Sequence, residues 1–379
     1  MLFYLHLLTE WFSPLRIFQY ITVRAFAAAG TAFVIGLALG PGMIQYLRRL
    51  KIGQQVRAQA EVKQLYELHG PKAGTPTMGG ILIMLAAGIS TVLWAVPTNG
   101  FVLIALSTFI YMGLVGLWDD YLKVTRKQSK GLGARQKLIL QGVWALGVVL
   151  VLLNWSATAD ISRQLMIPFV KDPVIQNIGW AGALFLVLAV LVGCTNAVNL
   201  TDGLDGLAIG CTNSVAAAYL AMSYVAGHVI FAGYLQVPYV ADSGELAVFC
   251  GALLGAGLAF LWFNCYPAKV FMGDTGSLAL GGAIAIVAIL INQELTLLFV
   301  GGVFVMEAVS VIIQVAYYKR TKKRFFRCAP IHHHFELIAK ENAERAGRPP
   351  GLIETTITTR LWVVSIIFAL IGLATLKIR

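Results

Sequence analysis

Long hydrophobic runs, separated by short polar connections, extend over almost the whole chain. A helix needs roughly 20 apolar residues to cross the ~30 Å hydrocarbon core of a bilayer. Ten runs of this kind are bounded by charged residues, proline or asparagine. The pattern predicts an all-α, polytopic membrane helical bundle with ten transmembrane helices. The predicted spans lie near residues 21–47, 77–96, 101–118, 136–153, 179–198, 203–225, 245–264, 276–291, 295–317 and 361–377.

The composition excludes a soluble or disordered protein. Of the 379 residues, 58% are hydrophobic and 12% are charged, whereas a typical soluble domain has about 25% charged residues. The mean hydropathy is +0.76. We interpret the net charge of +11 as a signal of topology and of attraction to anionic membrane lipid, and we expect no nucleic-acid partner. Residues 1–379 are expected to form a single integral membrane domain.

The distribution of Lys and Arg predicts the orientation of the bundle. The connections at 48–76, 119–135 and 318–360 contain six, five and ten basic residues. The alternate connections together contain two, both between residues 154 and 178. By the positive-inside rule the basic connections are cytoplasmic, so both termini are periplasmic. Residues 318–360 then form the longest cytoplasmic loop.

The outer side of the bundle carries two further predictions. Residues 1–20 are apolar and include Trp11 and Phe12, which favours an interfacial segment over another span. Arg24 lies near the outer end of the first span, where its side chain is expected to extend outward to water.

Five acidic residues lie at the ends of predicted spans, all on the predicted cytoplasmic side. Asp119 and Asp120 follow the third span, Asp202 and Asp205 begin the sixth, and Asp274 precedes the eighth. An ionised Asp at the bilayer centre costs about 2.5–3.5 kcal/mol on insertion scales, so acidic residues should be rare in this chain. Their position at span ends therefore indicates a structural or functional role. Helix capping is an alternative explanation for Asp202 or Asp274 taken singly.

Capping does not explain Asp119 and Asp120, because negative charge is unfavourable at the C-terminal end where the third span is predicted to stop. Adjacent carboxylates there are reasonable if a cation binds them. Oxygen-rich sites suit Mg²⁺, which is commonly completed by substrate phosphates. The three-residue spacing of Asp202 and Asp205 would place both carboxylates on one side of a helix start. We therefore predict a Mg²⁺ and diphosphate site at the cytoplasmic face.

A second polar cluster, His332, His333 and His334, lies in the longest cytoplasmic loop. Adjacent side chains on a short segment rarely converge on one ion, so phosphate contacts are favoured over a zinc site. Within the ninth span, Glu307 and Gln314 lie seven residues apart and face similar directions, with either a functional or a buried hydrogen-bonded role.

Two basic regions remain open to more than one interpretation. Lys72 and Thr77 belong to a Gly- and Pro-rich stretch that is either a plain loop or a phosphate contact. The basic run from Lys123 to Lys137 is more typical of lipid headgroup attraction than of catalysis, although it could also attract an anionic substrate.

Taken together, these motifs closely resemble those of the phospho-N-acetylmuramoyl-pentapeptide transferases, within the polyprenyl-phosphate hexosamine-1-phosphate transferases. The resemblance covers essentially the whole chain. It rests on Gly-Thr-Pro-Thr-Met-Gly-Gly at 74–80, the Asp pair, Asn-Leu-Thr-Asp-Gly-Leu-Asp-Gly at 199–206, Phe-Met-Gly-Asp-Thr-Gly-Ser at 271–277 and Pro-Ile-His-His-His-Phe-Glu at 330–336.

The resemblance implies a bacterial inner-membrane enzyme that requires Mg²⁺. It would transfer phospho-N-acetylmuramoyl-pentapeptide from UDP-MurNAc-pentapeptide to undecaprenyl phosphate, giving lipid I and UMP. The family also suggests a homodimer. By matching position, Asp274 resembles the direct Mg²⁺ ligand, and Asp119 and Asp120 resemble the pair at the reacting phosphates. Asp205, Asn264 and Phe271 resemble the uracil pocket, and the surrounding nucleotide and diphosphate contacts correspond to Lys72, Thr77, Asn199, Asp202, His332, His333 and His334.

Two other functions remain alternatives at this point. A sister enzyme transfers N-acetylglucosamine-1-phosphate from its UDP sugar to the same kind of lipid. A lipid flippase or transporter would also be a helical bundle, but it would predict ionisable residues near the bilayer middle. For the reaction itself, we favour a one-step displacement over an aspartyl-phosphate intermediate.

Overall fold

A computed structural model describes residues 1–50, 74–125, 131–346 and 353–378. Thirteen α-helices account for most of these residues, and short 3-10 helices occupy part of the remainder. The α-helices are α1 Ile21–Arg49, α2 Gly80–Trp94, α3 Gly100–Thr125, α4 Ala134–Asn154, α5 Gly179–Thr201, α6 Leu207–Ala226, α7 Val229–Leu235, α8 Leu246–Asn264, α9 Gly273–Leu290, α10 Leu297–Val300, α11 Gly302–Thr321, α12 Ile331–Arg345 and α13 Ile353–Ala374.

The helices confirm the predicted all-α membrane bundle. Within the described ranges, eight helices are long and apolar enough to cross a bilayer. A ninth span is possible if α6 and α7, which are bent by 104° at a short break, are taken together. The remaining predicted span, the second in chain order near 77–96, corresponds to α2, which is apolar but has only 15 residues. The chain is therefore a multi-pass membrane protein.

Several helices extend beyond the predicted spans, because helical hydrogen bonding continues after an apolar run ends. The third span was expected to stop at residue 118, but α3 continues to Thr125. The last span was expected to begin at residue 361, whereas α13 begins at Ile353. The predicted 318–360 loop contains the end of α11 and all of α12.

The bundle is organised around α8 and α9. Every residue of α9 from Thr275 to Leu290 is buried, and most of α8 is buried as well. Close packing depends on small residues, since a Cβ on Gly255 would lie 1.9 Å from the carbonyl oxygen of Ala29 in α1. Small residues at such positions allow helix backbones to approach closely, which is a common source of stability in membrane bundles. The α4 and α11 helices, by contrast, are largely exposed and form the periphery.

Arg24 does not extend outward as expected. Its side chain is 1% exposed and donates to both carboxylate oxygens of Glu245, at 2.7 and 2.5 Å. A buried guanidinium is tolerable only when it is paired, and Glu245, which stands just before α8, supplies the partner.

The first 20 residues fold against the same end of the bundle. They form the 3-10 helices Leu2–Leu8 and Ser13–Gln19, and the N-terminal amine donates to the carbonyls of Val92 and Leu93 at the end of α2. Trp11 is 90% exposed. The interfacial location of residues 1–20 remains a prediction.

Candidate active site

Three carboxylates from two helices converge at one end of the bundle. Asp119 and Asp120 lie in the penultimate turn of α3, and Asp274 is the second residue of α9. Ligand oxygens of the three lie within 4.8 Å of one another. Gly116 makes this possible, because a Cβ there would lie 2.1 Å from the carbonyl oxygen of Asp274. The acidic cluster, as we call these three residues, joins motifs that are 154 positions apart.

Asp120 caps α9 from a neighbouring helix. Its carboxylate accepts hydrogen bonds from the backbone N–H of Asp274 at 3.2 Å and from both the N–H and the hydroxyl of Thr275, at 2.9 and 2.7 Å. The first N–H groups of a helix lack partners within the helix, so Asp120 supplies acceptors for donors that the helix itself cannot pair. Gly273 has φ +73°, and a Cβ there would lie 2.6 Å from Asp120 Oδ2. Glycine is therefore required at position 273, both by the positive φ and by the lack of space for a Cβ.

Two lysines complete the cluster. The Lys123 ammonium lies 2.6 Å from Asp119 Oδ2 and 3.0 Å from Asp274 Oδ1. The Lys137 ammonium lies 2.6 Å from Asp274 Oδ2 and 3.5 Å from Asp119 Oδ2. Of the two interpretations of this basic run, the structure supports a role at the site for these two lysines. The sequence marked Lys123 and Lys137 only as the two ends of this basic run, because the extension of α3 beyond residue 118 was not predicted.

Asp119 and Asp274 have further fixed partners. Asp119 Oδ1 accepts the backbone N–H of Leu132 at 2.6 Å, which brings the start of α4 and Lys137 close to α3. The Asn199 amide donates to Asp274 Oδ1 at 3.0 Å and to the Ser277 hydroxyl at 2.8 Å. Asn199 therefore lies beside the acidic cluster.

Thr77 is beside the cluster because two distant segments pair their backbones. Phe271 N–H donates to Pro76 O at 2.8 Å, and Gly79 N–H donates to Phe271 O at 2.9 Å. Thr77 Oγ1 would lie 2.9 Å from a Cβ on Gly273. Lys72 lies outside the described residues, so its predicted contact stays a prediction.

Asp202 and Asp205 do not begin a helix as the sequence suggested. Asp202 is the C-terminal cap residue of α5, Asp205 lies in the following turn, and α6 begins at Leu207. The two carboxylates therefore do not share a helix face. Burial raises the pKa of Asp202 to about 8; the nearby carboxylates of Asp274, Asp120 and Asp205 act in the same direction, and a hydrogen bond from the Gly273 backbone opposes them.

Asp205 and Asn264 form a second group beside the first. Asp205 Oδ2 accepts the backbone N–H of Ala268 at 3.0 Å. Asn264, at the end of α8, accepts from Gly206 N–H at 3.1 Å and donates to Val270 O at 2.8 Å. Phe271 follows Val270 directly and is half-buried. Asp205 and Asn264 thus join the 202–206 turn to the connection that leads to Phe271.

The three histidines point to three different partners. His332 is fully buried; its Nδ1 lies 3.0 Å from Glu307 Oε2, and its Nε2 would lie 2.2 Å from a Cβ on Gly203. His333 Nδ1 lies 2.7 Å from Glu336, and His334 Nδ1 accepts the N–H of Arg327 at 3.3 Å. Of the three, His332 is the one seen against the Asp202–Gly206 turn.

The structure supports a hydrogen-bonded role for Glu307, which is fully buried, and for Gln314, which is half-buried. Glu307 holds His332, as described above. Gln314 Oε1 accepts the N–H groups of Phe325 and Phe326, at 3.2 and 2.9 Å. Both residues of α11 thus anchor the segment that leads into the histidines.

The comparisons with known proteins agree with the motifs. The profile described as Glycosyl transferase family 4 matches residues 102–292, and the profile described as Phospho-N-acetylmuramoyl-pentapeptide-transferase signature 1 matches residues 72–84. The Phospho-N-acetylmuramoyl-pentapeptide-transferase of Methylacidiphilum infernorum (isolate V4) is 48% identical over 379 residues, with 100% of both chains covered. A protein of the same name from Koribacter versatilis (strain Ellin345) is 46% identical over 381 residues, covering 97% of this chain and 96% of that one.

Proposed function

The chain belongs to the phospho-N-acetylmuramoyl-pentapeptide-transferase family, and from this premise we propose the following reaction. It transfers phospho-N-acetylmuramoyl-pentapeptide from UDP-MurNAc-pentapeptide to undecaprenyl phosphate, giving lipid I and UMP. The observation that carries the proposal is the acidic cluster, in which three carboxylates and two ammonium groups meet at one end of a membrane bundle. A site at the end of a membrane bundle can bind the diphosphate of a water-soluble donor where the phosphate of a lipid acceptor can reach it.

The acidic cluster fits a divalent cation. Three carboxylates whose oxygens lie within 4.8 Å of one another supply the hard oxygen ligands that Mg²⁺ prefers. Asp274 is the proposed direct ligand, with Asp119 beside it, because the oxygens of Asp120 are already used in capping α9. A bound Mg²⁺ would neutralise charge that develops on the diphosphate during transfer.

The residues of the chain orient the two substrates. Lys123 and Lys137 present ammonium groups that would attract the diphosphate. Asp119 Oδ2 lies 2.6 Å from the Lys123 ammonium and 3.5 Å from the Lys137 ammonium, so this carboxylate would hold the cationic groups that orient the acceptor phosphate. A phosphate monoester has a second pKa of about 6 and is mostly dianionic at pH 7, so it needs no base to become a nucleophile. We therefore propose direct attack on the phosphorus nearest the sugar, with UMP as the leaving group.

The nucleotide is proposed to bind beside the acidic cluster. Asp205 and Asn264 hold the turn at 202–206, and half-buried Phe271 is available to stack on the uracil base. Asn199, Thr77, Lys72 and Asp202, with the histidines 332–334, are proposed to contact the nucleotide and diphosphate. The contact between His332 and Gly203 supports this role for one histidine.

The proposed location follows from the basic connections. We propose that the end of the bundle that carries the acidic cluster faces the cytoplasm, because Lys123 and Lys137 lie there and the sequence is rich in Lys and Arg at 48–76, 119–135 and 318–360. Both termini would then be periplasmic. The membrane is then the bacterial inner membrane. A homodimer is a further proposal, supported by the resemblance to the family alone.

The function is tested by measuring UMP release from purified protein supplied with undecaprenyl phosphate and Mg²⁺. UDP-MurNAc-pentapeptide should be consumed and UDP-N-acetylglucosamine should not. Asp172→Asn, which alters an exposed carboxylate in a distant connection, serves as the matched control for Asp274→Asn. Preference for UDP-N-acetylglucosamine would establish the sister activity instead. Lipid movement across vesicles without UMP release would establish a transporter.

The one-step mechanism is tested by Asp119→Asn and its pH–rate profile. A surviving rate that increases as the lipid phosphate ionises supports direct displacement. Trapping of an aspartyl-phosphate in the parent protein, lost in Asp119→Asn together with all turnover, would contradict it.

A further inference from the structure

One face of the last helix contacts the turn that carries Asp202 and Asp205. Glu354, Thr358 and Trp362 are spaced four residues apart along α13, so their side chains lie above one another on one face. Glu354 Oε1 accepts the backbone N–H of Asp205 at 2.7 Å. Thr358 Oγ1 donates to Asp205 O at 3.4 Å, and Trp362 Nε1 donates to Gly206 O at 3.1 Å.

These bonds add to the few that the turn makes with its own neighbours, such as Gly203 N–H to Thr201 O at 2.8 Å and Gly210 N–H to Gly206 O at 3.0 Å. The turn from residue 202 to residue 206 separates α5 from α6, so its peptide groups lie outside regular helix. A buried peptide N–H or C=O without a partner costs free energy comparable to a lost hydrogen bond. Glu354 accepts the N–H of Asp205, and Thr358 donates to its C=O. Asn264 accepts the N–H of Gly206.

The fit of Trp362 shows that this contact is close. A Cβ on Gly210, in the first turn of α6, would lie 2.0 Å from Trp362 Nε1. Gly206 has φ +76°, which favours glycine, and a Cβ there would lie 3.2 Å from the same indole ring. The turn and the start of α6 are thus shaped to receive the indole.

We propose that Glu354, Thr358 and Trp362 are positioning residues that hold the Asp202–Gly206 turn in the conformation that binds the nucleotide of the donor substrate. The inference rests on the proposed function, which assigns the nucleotide to Asp205 and Asn264. It adds residues from a helix about 150 positions away, in a part of the chain that our sequence analysis did not connect with the site. The acceptor lipid does not depend on this turn in the proposed arrangement, so the three side chains should affect the two substrates unequally.

The test compares KM for the two substrates in single variants of the full chain. Glu354→Ala should raise the KM for UDP-MurNAc-pentapeptide by about tenfold, because one hydrogen bond to a carboxylate is lost. The KM for undecaprenyl phosphate should change less than about twofold if that substrate makes no use of the lost bond. Glu354→Gln retains an acceptor oxygen and should recover most of the loss. Trp362→Phe and Thr358→Val should raise the donor KM by about threefold each.

Ser365→Ala is the matched control. Ser365 also lies on α13, is buried and donates to a backbone carbonyl, that of Cys211 at 3.5 Å, but it does not contact the turn. It should leave both KM values unchanged. Equal changes in both KM values, or a lower rate at an unchanged donor KM, would overturn the proposal. If the parent protein itself releases no UMP, the proposed function has failed, and the inference falls with it.

Discussion

Both ends of the bundle bury carboxylates, but they balance the charge differently. Where α1 begins, Arg24 and Glu245 form a bidentate pair whose side chains are 1% and 9% exposed. Glu245 also accepts the N–H of Val96 at 3.0 Å, and Arg24 also donates to Trp94 O at 3.2 Å. One negative charge meets one positive charge, and the backbone of the α2–α3 connection completes the arrangement. We call this the outer pair.

The acidic cluster at the opposite end is neither balanced nor closed. Three carboxylates share two lysines, and the Lys123 side chain is 33% exposed. Burying an excess of like charge is expensive unless a counter-ion is available. The difference shows that burial of charge alone does not mark a functional site. In the proposed function, the site is instead the cluster whose negative charge exceeds its positive charge and which solvent can reach.

The largest expected effect is on catalysis, from Asp274→Asn. It removes the proposed Mg²⁺ ligand, and we expect UMP release to fall by about 10³-fold or more. The melting temperature should fall by less than in Glu245→Ala, because Lys123 and Lys137 keep Asp119 as a partner. A variant that melts much earlier, in the manner expected of the outer pair, would show that the cluster is structural.

Breaking the outer pair should reduce stability and leave catalysis unchanged. Glu245→Ala leaves the Arg24 guanidinium buried without its partner, and we expect a loss of about 3 kcal/mol of stability. Thermal unfolding in detergent measures the loss. The Michaelis constants should remain unchanged in the folded fraction. The double variant Arg24→Met with Glu245→Met should recover part of the stability, and no recovery would mean that the charges do more than satisfy each other.

Removing one lysine should sharpen the contrast between the two ends. Lys123→Met leaves the acidic cluster with a larger negative excess, so its affinity for a divalent cation should rise by about fivefold. Binding of Mn²⁺ to the protein alone, followed by electron paramagnetic resonance, measures this without turnover. Lys171→Met, in an exposed connection, is the control. Unchanged or weaker Mn²⁺ binding would contradict the proposed cation site.

The acidic cluster was predictable because hydrophobic runs fix which connections share a side of the membrane. Asp119, Asp120 and Asp274 were expected on one face, and the structure brings them together. The helical conformation of Asp119 and Asp120 was not predictable, because the apolar run ends at Trp118 while α3 continues to Thr125.

Partners that are distant in sequence could not be predicted at all. Arg24 pairs with Glu245, 221 residues away, and Glu354 binds the backbone of Asp205. A single charged residue in an apolar run shows that a partner or water is needed, but tertiary packing decides which one. The expected outward extension of Arg24 was wrong for this reason.

The last expected effect is a shift of a few degrees in melting temperature, which comes from the pH dependence of stability at Asp202. Its folded pKa of about 8 lies above the ordinary value of about 4 for an unfolded Asp. The folded state therefore binds more protons between these values, and stability falls as pH rises from about 4 to about 8. Asp202→Asn removes this dependence. With EDTA present, the melting temperature of the parent should fall by a few degrees more than that of the variant between pH 5 and pH 8. If the difference in melting temperature between the parent and Asp202→Asn is the same at every pH, Asp202 has an ordinary pKa. The neighbouring carboxylates are then already neutralised by other groups.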